Sequence, residues 1–192
     1  MSGGLIDIIR LVIDLYATVI LVRLLLQLVQ ADFFNPISQT IFKITAPIVE
    51  PLHKIFPTFG KFNTAALAAA ILVKWSFFII WFGFQSALPG QLVPLLLVAA
   101  VSLIGTLIQI YFYGILIVAI SSWIGTTNHP TVRLVNQVID PYMKPFRSVI
   151  PPIGMIDISP MVAILVLMVA RARTTITPAR RIHISTAACA AM

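Results

Sequence analysis

Three charged residues, Asp14, Arg23 and Lys74, interrupt long apolar stretches of this chain and are the side chains most able to do chemistry there. An ionisable group in such a stretch marks an ion path, a partner contact or an internal ion pair. Lys74 and Asp14 therefore have two open interpretations: a functional role, or a structural pairing of one with the other. Arg23 lies near the end of its stretch, where we expect the long side chain to reach polar surroundings.

No recognisable catalytic or metal-binding motif accompanies these charges. His53, His129 and His183 are scattered, and the sequence has no HExxH helix, nucleophile elbow or phosphate-binding glycine loop. The single cysteine, Cys189, rules out an intrachain disulfide and a cysteine-based metal site. We therefore predict a protein that is not an enzyme and that has no catalytic residue, no metal site and no cofactor.

Composition indicates the class of protein. Of the 192 residues, 59% are hydrophobic and only 10% are charged, and the mean hydropathy is +1.02, whereas a soluble domain carries about 25% charged residues. No Asp, Glu, Lys or Arg occurs between Lys74 and Arg133. These features predict a protein of the lipid bilayer. The net charge of +7 forms no basic patch with exposed aromatic residues, so we expect no nucleic-acid partner.

One segment of the chain occurs twice. NPISQTIFKITAPIVEPLHKIFPTFG at 35–60 aligns without a gap with HPTVRLVNQVIDPYMKPFRSVIPPIG at 129–154. Four prolines and a glycine keep their spacing: Pro36, Pro47, Pro51, Pro57 and Gly60 match Pro130, Pro141, Pro145, Pro151 and Gly154. This shared register indicates an internal duplication.

Apolar stretches flank each copy, at residues 11–29, 64–88, 93–124 and 159–170. A membrane-spanning helix needs about 20 residues. The third stretch is so long that it must tilt, protrude or break near Gly105 or Gly114, and we favour one unbroken helix; the fourth is short for a span. We predict an all-α membrane protein with four transmembrane helices in two tandem repeats, residues 5–88 and 93–170, each with an amphipathic interfacial helix between its spans.

Each duplicated segment begins with the pattern of an amphipathic helix. Asn35 is a favourable N-cap and Pro36 suits the first helical position, whereas Pro47 and Pro51 should end or kink the helix. The segments serve either as docking surfaces for lipid or partner proteins or as a structural belt between spans. On the docking interpretation, the headgroup contacts are Lys54, Lys61, Lys144 and Arg147. The basic residues of the two repeat loops favour a cytoplasmic position for these loops.

Asp157, Ser159 and Pro160 precede the last apolar stretch. Ser159 suits an N-cap and Pro160 the following position, and we favour capping over catalysis because no base or nucleophile accompanies them.

The chain resembles the YggT family of small integral membrane proteins. The resemblance rests on NP at 35–36, TAPIVEPLHKIFP at 45–57, DPYMKPFRSVIP at 140–151 and GMIDISPM at 154–161, and it covers about residues 5–170. It implies a multi-pass protein of the bacterial cytoplasmic (inner) membrane, linked to osmotic and envelope stress and to ion homeostasis, and acting as a scaffold or assembly factor.

Two alternatives remain open. The resemblance implies one of them, because plastid and cyanobacterial members are linked to the assembly of membrane complexes, including haem attachment to cytochromes. The duplicated architecture permits the other, a membrane transport component for cations. The expected partners are the lipid bilayer and either other membrane proteins or further copies of this chain.

The chain departs from the family pattern in two places. Asn63 stands in the first copy where Asp157 stands in the second, and Ala65 and Ala66 stand opposite Ser159 and Pro160, so any role of the acidic residue is in doubt in the first half. Residues 171–192 turn arginine-rich instead of continuing the last span. We expect an atypical basic tail that is either disordered or the product of a frameshift.

Overall fold

The computed structural model describes residues 3–83, 92–149 and 159–172. Within these residues the chain forms six helices: α1 (Gly3–Leu28), α2 (Pro36–His53), α3 (Thr64–Gly83), α4 (Leu92–Ile124), α5 (Pro130–Val149) and α6 (Ser159–Ala172). The described residues contain no β-strand, and one isolated β-bridge joins Phe59 to Phe62. The all-α prediction is therefore confirmed. Of the predicted motif residues, Pro151, Gly154 and Asp157 lie outside the described part, as do residues 173–192 of the tail.

Helix α3 lies between α1 and α4, and small side chains let it approach α1 closely. Ala65, Ala66, Ala69 and Ala70 are completely buried and pack with leucine and isoleucine side chains of α1. Alanine at i and i+4 removes the bulk that would otherwise separate two helices. The close packing of α3 against α1 therefore lies along the first half of α3.

Two further apolar clusters connect the second half of the chain. One joins α4, α5 and α6 through residues that include Ile115, Met143 and Ala163. The other packs Leu25 and Leu26 of α1 against residues of α5, and it includes side chains from α2 and α4. This last cluster brings residues of the two duplicated segments together, so the segments meet at one end of the bundle.

The two duplicated segments remain helical beyond their prolines, so Pro47 and Pro51 do not end the first helix. Helix α2 continues to His53 with both prolines inside it, and α5 likewise contains Pro141 and Pro145. A proline inside a helix removes one backbone hydrogen bond and crowds the preceding turn. Contacts with α1, described below, hold the turn of α2 that precedes Pro47.

By length and apolar composition, two helices of the described residues could cross a bilayer, at Thr64–Trp81 and Leu92–Ser122. The sequence leads us to predict four, and the structure differs for the first and last of them. Helix α1 carries four charged side chains, at positions 7, 10, 14 and 23, and the described part of α6 covers 14 residues. At 1.5 Å per residue, α6 is about 21 Å long, less than the roughly 30 Å of hydrocarbon.

Helix α4 is continuous over 33 residues, as predicted, with no break at Gly105 or Gly114. Gly114 is nevertheless needed for packing, because α5 crosses the helix there. A Cβ atom on Gly114 would lie 2.7 Å from Cγ2 of Ile139 and 3.5 Å from Cγ1 of Val135. A Cβ atom on Gly105 would have no neighbouring heavy atom within 4 Å.

We expect Gly114→Ala to destabilise the protein, because the Ile139 methyl group is attached to a branched Cβ and cannot move aside without a change of rotamer. Overpacking of this kind costs about 1 to 3 kcal/mol. Gly105→Ala is the matched control, and its better helix propensity should leave stability unchanged or raise it by up to about 1 kcal/mol. Unfolding in detergent micelles measures both variants, and equal stability of the two would contradict the contact.

Candidate functional site

Lys74 and Asp14, the two charges singled out from the sequence, form an ion pair between α3 and α1. The Lys74 ammonium lies 2.5 Å from Oδ1 of Asp14, and Lys74 is only 7% exposed. Arg10 lies on the other side of the carboxylate, with its Nε 3.7 Å from Oδ2 of Asp14. The pairing predicted between Lys74 and Asp14 is thus present. It neutralises the buried ammonium, which would otherwise be costly among apolar residues.

Arg23 does not extend outwards as expected: it is 6% exposed and lies between α1 and α2. Its Nη1 donates to Oγ1 of Thr45 at 2.9 Å and to the carbonyl of Phe42 at 3.3 Å. The guanidinium carbon lies 4.8 Å from the centre of the Phe42 ring, within range of a cation–π interaction. Arg23 therefore fastens α2 to α1.

Tyr16 adds a second contact to the same turn of α2. Its hydroxyl donates to the carbonyl of Ile44 at 3.2 Å, three residues before Pro47. Ile37, near the start of α2, packs in the cluster that contains Leu26, and His53, at its end, bonds Asn63, which also bonds Gln27. Helix α2 therefore contacts α1, or groups bonded to α1, along its length.

Asn63 connects the ends of three helices. Its Oδ1 accepts from the backbone N–H of Ala66 at 2.9 Å, which caps α3. This bond fixes the orientation of the amide, so Nδ2 faces Oε1 of Gln27 at 2.7 Å and Nε2 of His53 at 3.1 Å. Because Nδ2 can only donate, Nε2 of His53 is the acceptor, and the ring proton of the neutral imidazole lies on Nδ1.

The helices α2 and α5 begin with equivalent caps, and the two caps meet. Oδ1 of Asn35 accepts from the N–H of Ile37 at 3.0 Å, and Nδ1 of His129 accepts from the N–H of Thr131 at 3.3 Å. Asn35 also donates through Nδ2 to the carbonyl of Pro130 at 2.9 Å. One predicted motif residue therefore joins the first copy of the duplicated segment to the second.

The second repeat makes its internal contacts with different chemistry. Ile139 stands where Thr45 stands in the first copy, and it packs on Gly114 instead of accepting from an arginine. The hydroxyl of Tyr142 donates to the carbonyl of Ala163 at 3.2 Å and so ties α5 to α6. Burial raises the pKa of the Tyr142 phenol above its ordinary value, so this hydroxyl remains a donor at physiological pH.

The predicted headgroup residues divide into two groups. Lys54 and Lys61 are exposed in the loop between α2 and α3. Lys144 and Arg147 are on α5, where they lie 3.2 Å and 3.4 Å from the carboxylate oxygens of Asp140. The carboxylate therefore offsets part of the positive charge on α5, whereas the α2–α3 loop keeps its two positive charges.

An open apolar groove of about 280 Å³ lies between the two repeats. Residues of α1, α2, α4 and α5 line it, and its polar groups come from Thr18, Gln109, Tyr113 and Thr131. Among the residues that the structure describes, no three His, Cys, Asp or Glu side chains come together as metal ligands. The groove contains no charged side chain in its lining, so it offers a place for an apolar group and not for an ion.

A family model described as CCB3/YggT matches residues 2–83 and 97–175 of the chain. This chain belongs to the CCB3/YggT family. The resemblance inferred from the proline motifs is thereby confirmed, and the match ends inside the tail that was predicted to be atypical.

Relatives in the CCB3/YggT family include bacterial and plastid proteins. The chain is 35% identical over 156 residues to protein PA0392 of Pseudomonas aeruginosa, covering 80% of this chain and 79% of the relative. It is also 35% identical over 158 residues to YggT of Escherichia coli, covering 82% of each. A shorter match, 38% over 85 residues, covers 44% of this chain and 33% of the chloroplastic YlmG homolog protein 2 of Arabidopsis thaliana. No solved structure matches the chain.

Sequence reasoning singled out Arg23 but missed that it holds α2 in this CCB3/YggT protein, and it missed Tyr16 and Gln27. Tyr16, Arg23 and Gln27 lie on one face of α1, because spacings of seven and four residues return to the same side of a helix. That spacing is visible in the sequence and was the available signal. The partners on α2, Thr45 and the carbonyls before Pro47, could not be found without the fold.

We expect Asp14→Leu to destabilise the protein more than Lys74→Met does. Loss of the carboxylate leaves a buried ammonium without its ion-pair partner, at a cost of about 3 kcal/mol. Loss of the ammonium leaves a part-exposed carboxylate that still has Arg10, at a cost of about 1 kcal/mol. The double variant should recover most of the stability. Unfolding in micelles tests this order, and an additive double variant would contradict the pairing.

Proposed function

We propose that this protein is a multi-pass protein of the bacterial cytoplasmic membrane that acts without catalysis, as a scaffold or assembly factor supporting the envelope under osmotic stress. The observation that carries the membrane part is the apolar outer surface of the bundle. Leucine, isoleucine, valine and methionine side chains that are more than half exposed cover the outer faces of three helices: Leu5, Ile8, Leu11, Val12 and Leu15 on α1; Val93, Leu97, Val101 and Ile104 on α4; and Met161, Leu165, Met168 and Val169 on α6.

Such a surface suits lipid, because continuous exposed apolar patches are rare on soluble monomers. It supports a place in the bilayer for α1 and α6 as well as for α3 and α4. The charges of α1 fit this proposal, since Arg23 bonds α2 and Asp14 pairs with Lys74. Polar groups inside a membrane protein must find partners within the protein.

The scaffold role rests on how the polar side chains are used. Lys74, Arg23, Asn63 and His53 all make contacts that join one helix to another. Side chains engaged in this way stabilise a platform, and a platform with a broad apolar surface can bind other membrane proteins.

Cation transport is the second candidate, and the groove between the repeats is the feature in its favour. Its lining weakens this candidate, because cation paths use carboxylates or carbonyl groups. Haem attachment is weaker still: His53 is bonded to Asn63, and His129 caps α5.

The membrane placement predicts which positions react with a water-soluble maleimide in membrane vesicles. In a Cys189→Ala background, cysteines at Leu11, Leu97 and Leu165 should stay unlabelled until detergent is added. Cysteines at Gln39 and Asn136, which are exposed on the polar sides of α2 and α5, should label from one side of the membrane. If a cysteine at Leu165 were labelled before detergent is added, in vesicles of either orientation, α6 would not lie in the bilayer.

The scaffold role predicts that the Asp14→Leu/Lys74→Met double variant supports survival after osmotic shock as well as the unchanged protein in a deletion strain. A transport role through these charges predicts a null phenotype for the same variant. Ion flux in proteoliposomes and co-purification from native membranes are the paired readouts. Flux without any co-purifying membrane protein would overturn the scaffold proposal.

A further inference from the structure

The loop between α2 and α3, residues 54–62, displays an unusual set of exposed side chains. Ile55 is 70% exposed and Phe59 is 69% exposed, while Phe56 and Phe62 are each about 40% exposed. Lys54 and Lys61 are exposed beside them. No Asp or Glu occurs between Glu50 and the end of α3. The loop therefore combines apolar rings with two positive charges.

Backbone hydrogen bonds give the loop one defined conformation, so its exposed aromatic side chains have defined positions. The backbone groups of Phe59 and Phe62 exchange two hydrogen bonds, of 3.1 Å and 3.0 Å, around Gly60 and Lys61. Gly60 has a φ of +59°, which suits glycine at the first central position of a type II′ hairpin turn. The result is a short hairpin whose two phenylalanines flank a lysine.

Both sides of this hairpin are also fixed to the bundle. On one side the N–H groups of Ile55 and Phe56 donate to the carbonyl of Leu52 at 3.0 Å and 2.8 Å. On the other side the hydroxyl of Thr64 donates to the carbonyl of Pro57 at 2.5 Å. Because these backbone groups already have partners, the loop can enter the headgroup region without leaving them unsatisfied.

We propose that residues 54–62 form an interfacial anchor that inserts its aromatic side chains among lipid headgroups and binds anionic phospholipid. Two observations select this occupant. The loop leads, within two residues, into α3, whose candidate span begins at Thr64, so it lies where the chain enters hydrocarbon. Its two lysines form no ion pair with a carboxylate of the described residues, so they complement a negative leaflet surface, and aromatic rings favour the same depth. The proposal rests on the membrane placement proposed above.

The test uses the full-length protein in lipid nanodiscs. In a Cys189→Ala background, an environment-sensitive fluorophore is attached to Phe59→Cys or, as a second position, Ile55→Cys. Leu72→Cys, on the outward face of α3, is the reference for membrane placement. Brominated phosphatidylglycerol or brominated phosphatidylcholine then quenches each label from the lipid side, and iodide quenches it from water.

We expect brominated lipid to quench both loop labels and iodide to leave them unquenched. Quenching by brominated phosphatidylglycerol should exceed quenching by brominated phosphatidylcholine, and this ratio is the lipid preference. Each lysine should contribute about fivefold to the preference, because one basic residue gains about 1 kcal/mol near an anionic leaflet. Lys54→Gln/Lys61→Gln should therefore reduce the preference to about one. Lys43→Gln, an exposed lysine of α2 outside the loop, should leave it unchanged.

Three results would overturn the anchor. Quenching of the loop labels by iodide, with Leu72 still quenched by lipid, would place the loop against water or a soluble partner and leave the membrane placement intact. An equal response to the two brominated lipids in the unchanged loop would remove the anionic preference. Protection of Leu72 from brominated lipid would instead contradict the membrane placement itself.

Discussion

The structure depends on the attachment of one proline-interrupted helix to one face of α1. Tyr16 and Arg23 bond the carbonyl groups of Ile44 and Phe42, and Arg23 also bonds the Thr45 hydroxyl. Pro47 removes the helical donor to the carbonyl of Lys43, and the carbonyls of Phe42 and Ile44 lie on either side of Lys43 in the same turn. These donors therefore attach α2 to α1 at the turn where its own hydrogen bonding is interrupted, and Val49 of α2 is buried against α3.

The segments 35–60 and 129–154 both form a helix that contains two prolines, but different chemistry holds each helix in place. The first segment uses an arginine and a threonine, and the second uses a glycine that lets an isoleucine approach the helix axis. The caps differ in the same way, since an asparagine side chain begins α2 and a histidine side chain begins α5. The proline spacing is therefore shared by the two segments, whereas the residues that make their contacts differ.

Much of this arrangement could be predicted from the sequence, and particular residues show where prediction stopped. Lys74 and Asp14 could be paired because each is an isolated charge in an apolar stretch. Asn35 could be identified as a cap from its position before Pro36. Arg23 was misplaced because a long cation near the end of a span usually extends to the surface. Its actual partners, Thr45 and the carbonyl of Phe42, are within reach only because α2 packs against α1.

The number of spans illustrates a different limit. Hydropathy describes each helix alone, so the charges of α1 count against it even though two of them, Asp14 and Arg23, have partners in neighbouring helices. The same limit applies to the candidate site. Gln27 and His53 belong to no motif in the sequence, and only the fold shows that Asn63 bonds both of them at the start of α3. Contacts between distant segments carry this information, and no local pattern encodes them.

The bond from Asn35 to the carbonyl of Pro130 has a consequence for biosynthesis. The two residues are 95 positions apart in the chain. A ribosome adds about 5 to 20 residues per second, so the amide of Asn35 must wait roughly 5 to 20 s for its acceptor to be made. During that interval the first half of the protein has its own core but an incomplete edge. The nascent chain therefore has a defined period in which an insertion factor or a neighbouring helix can occupy the place that α5 later takes.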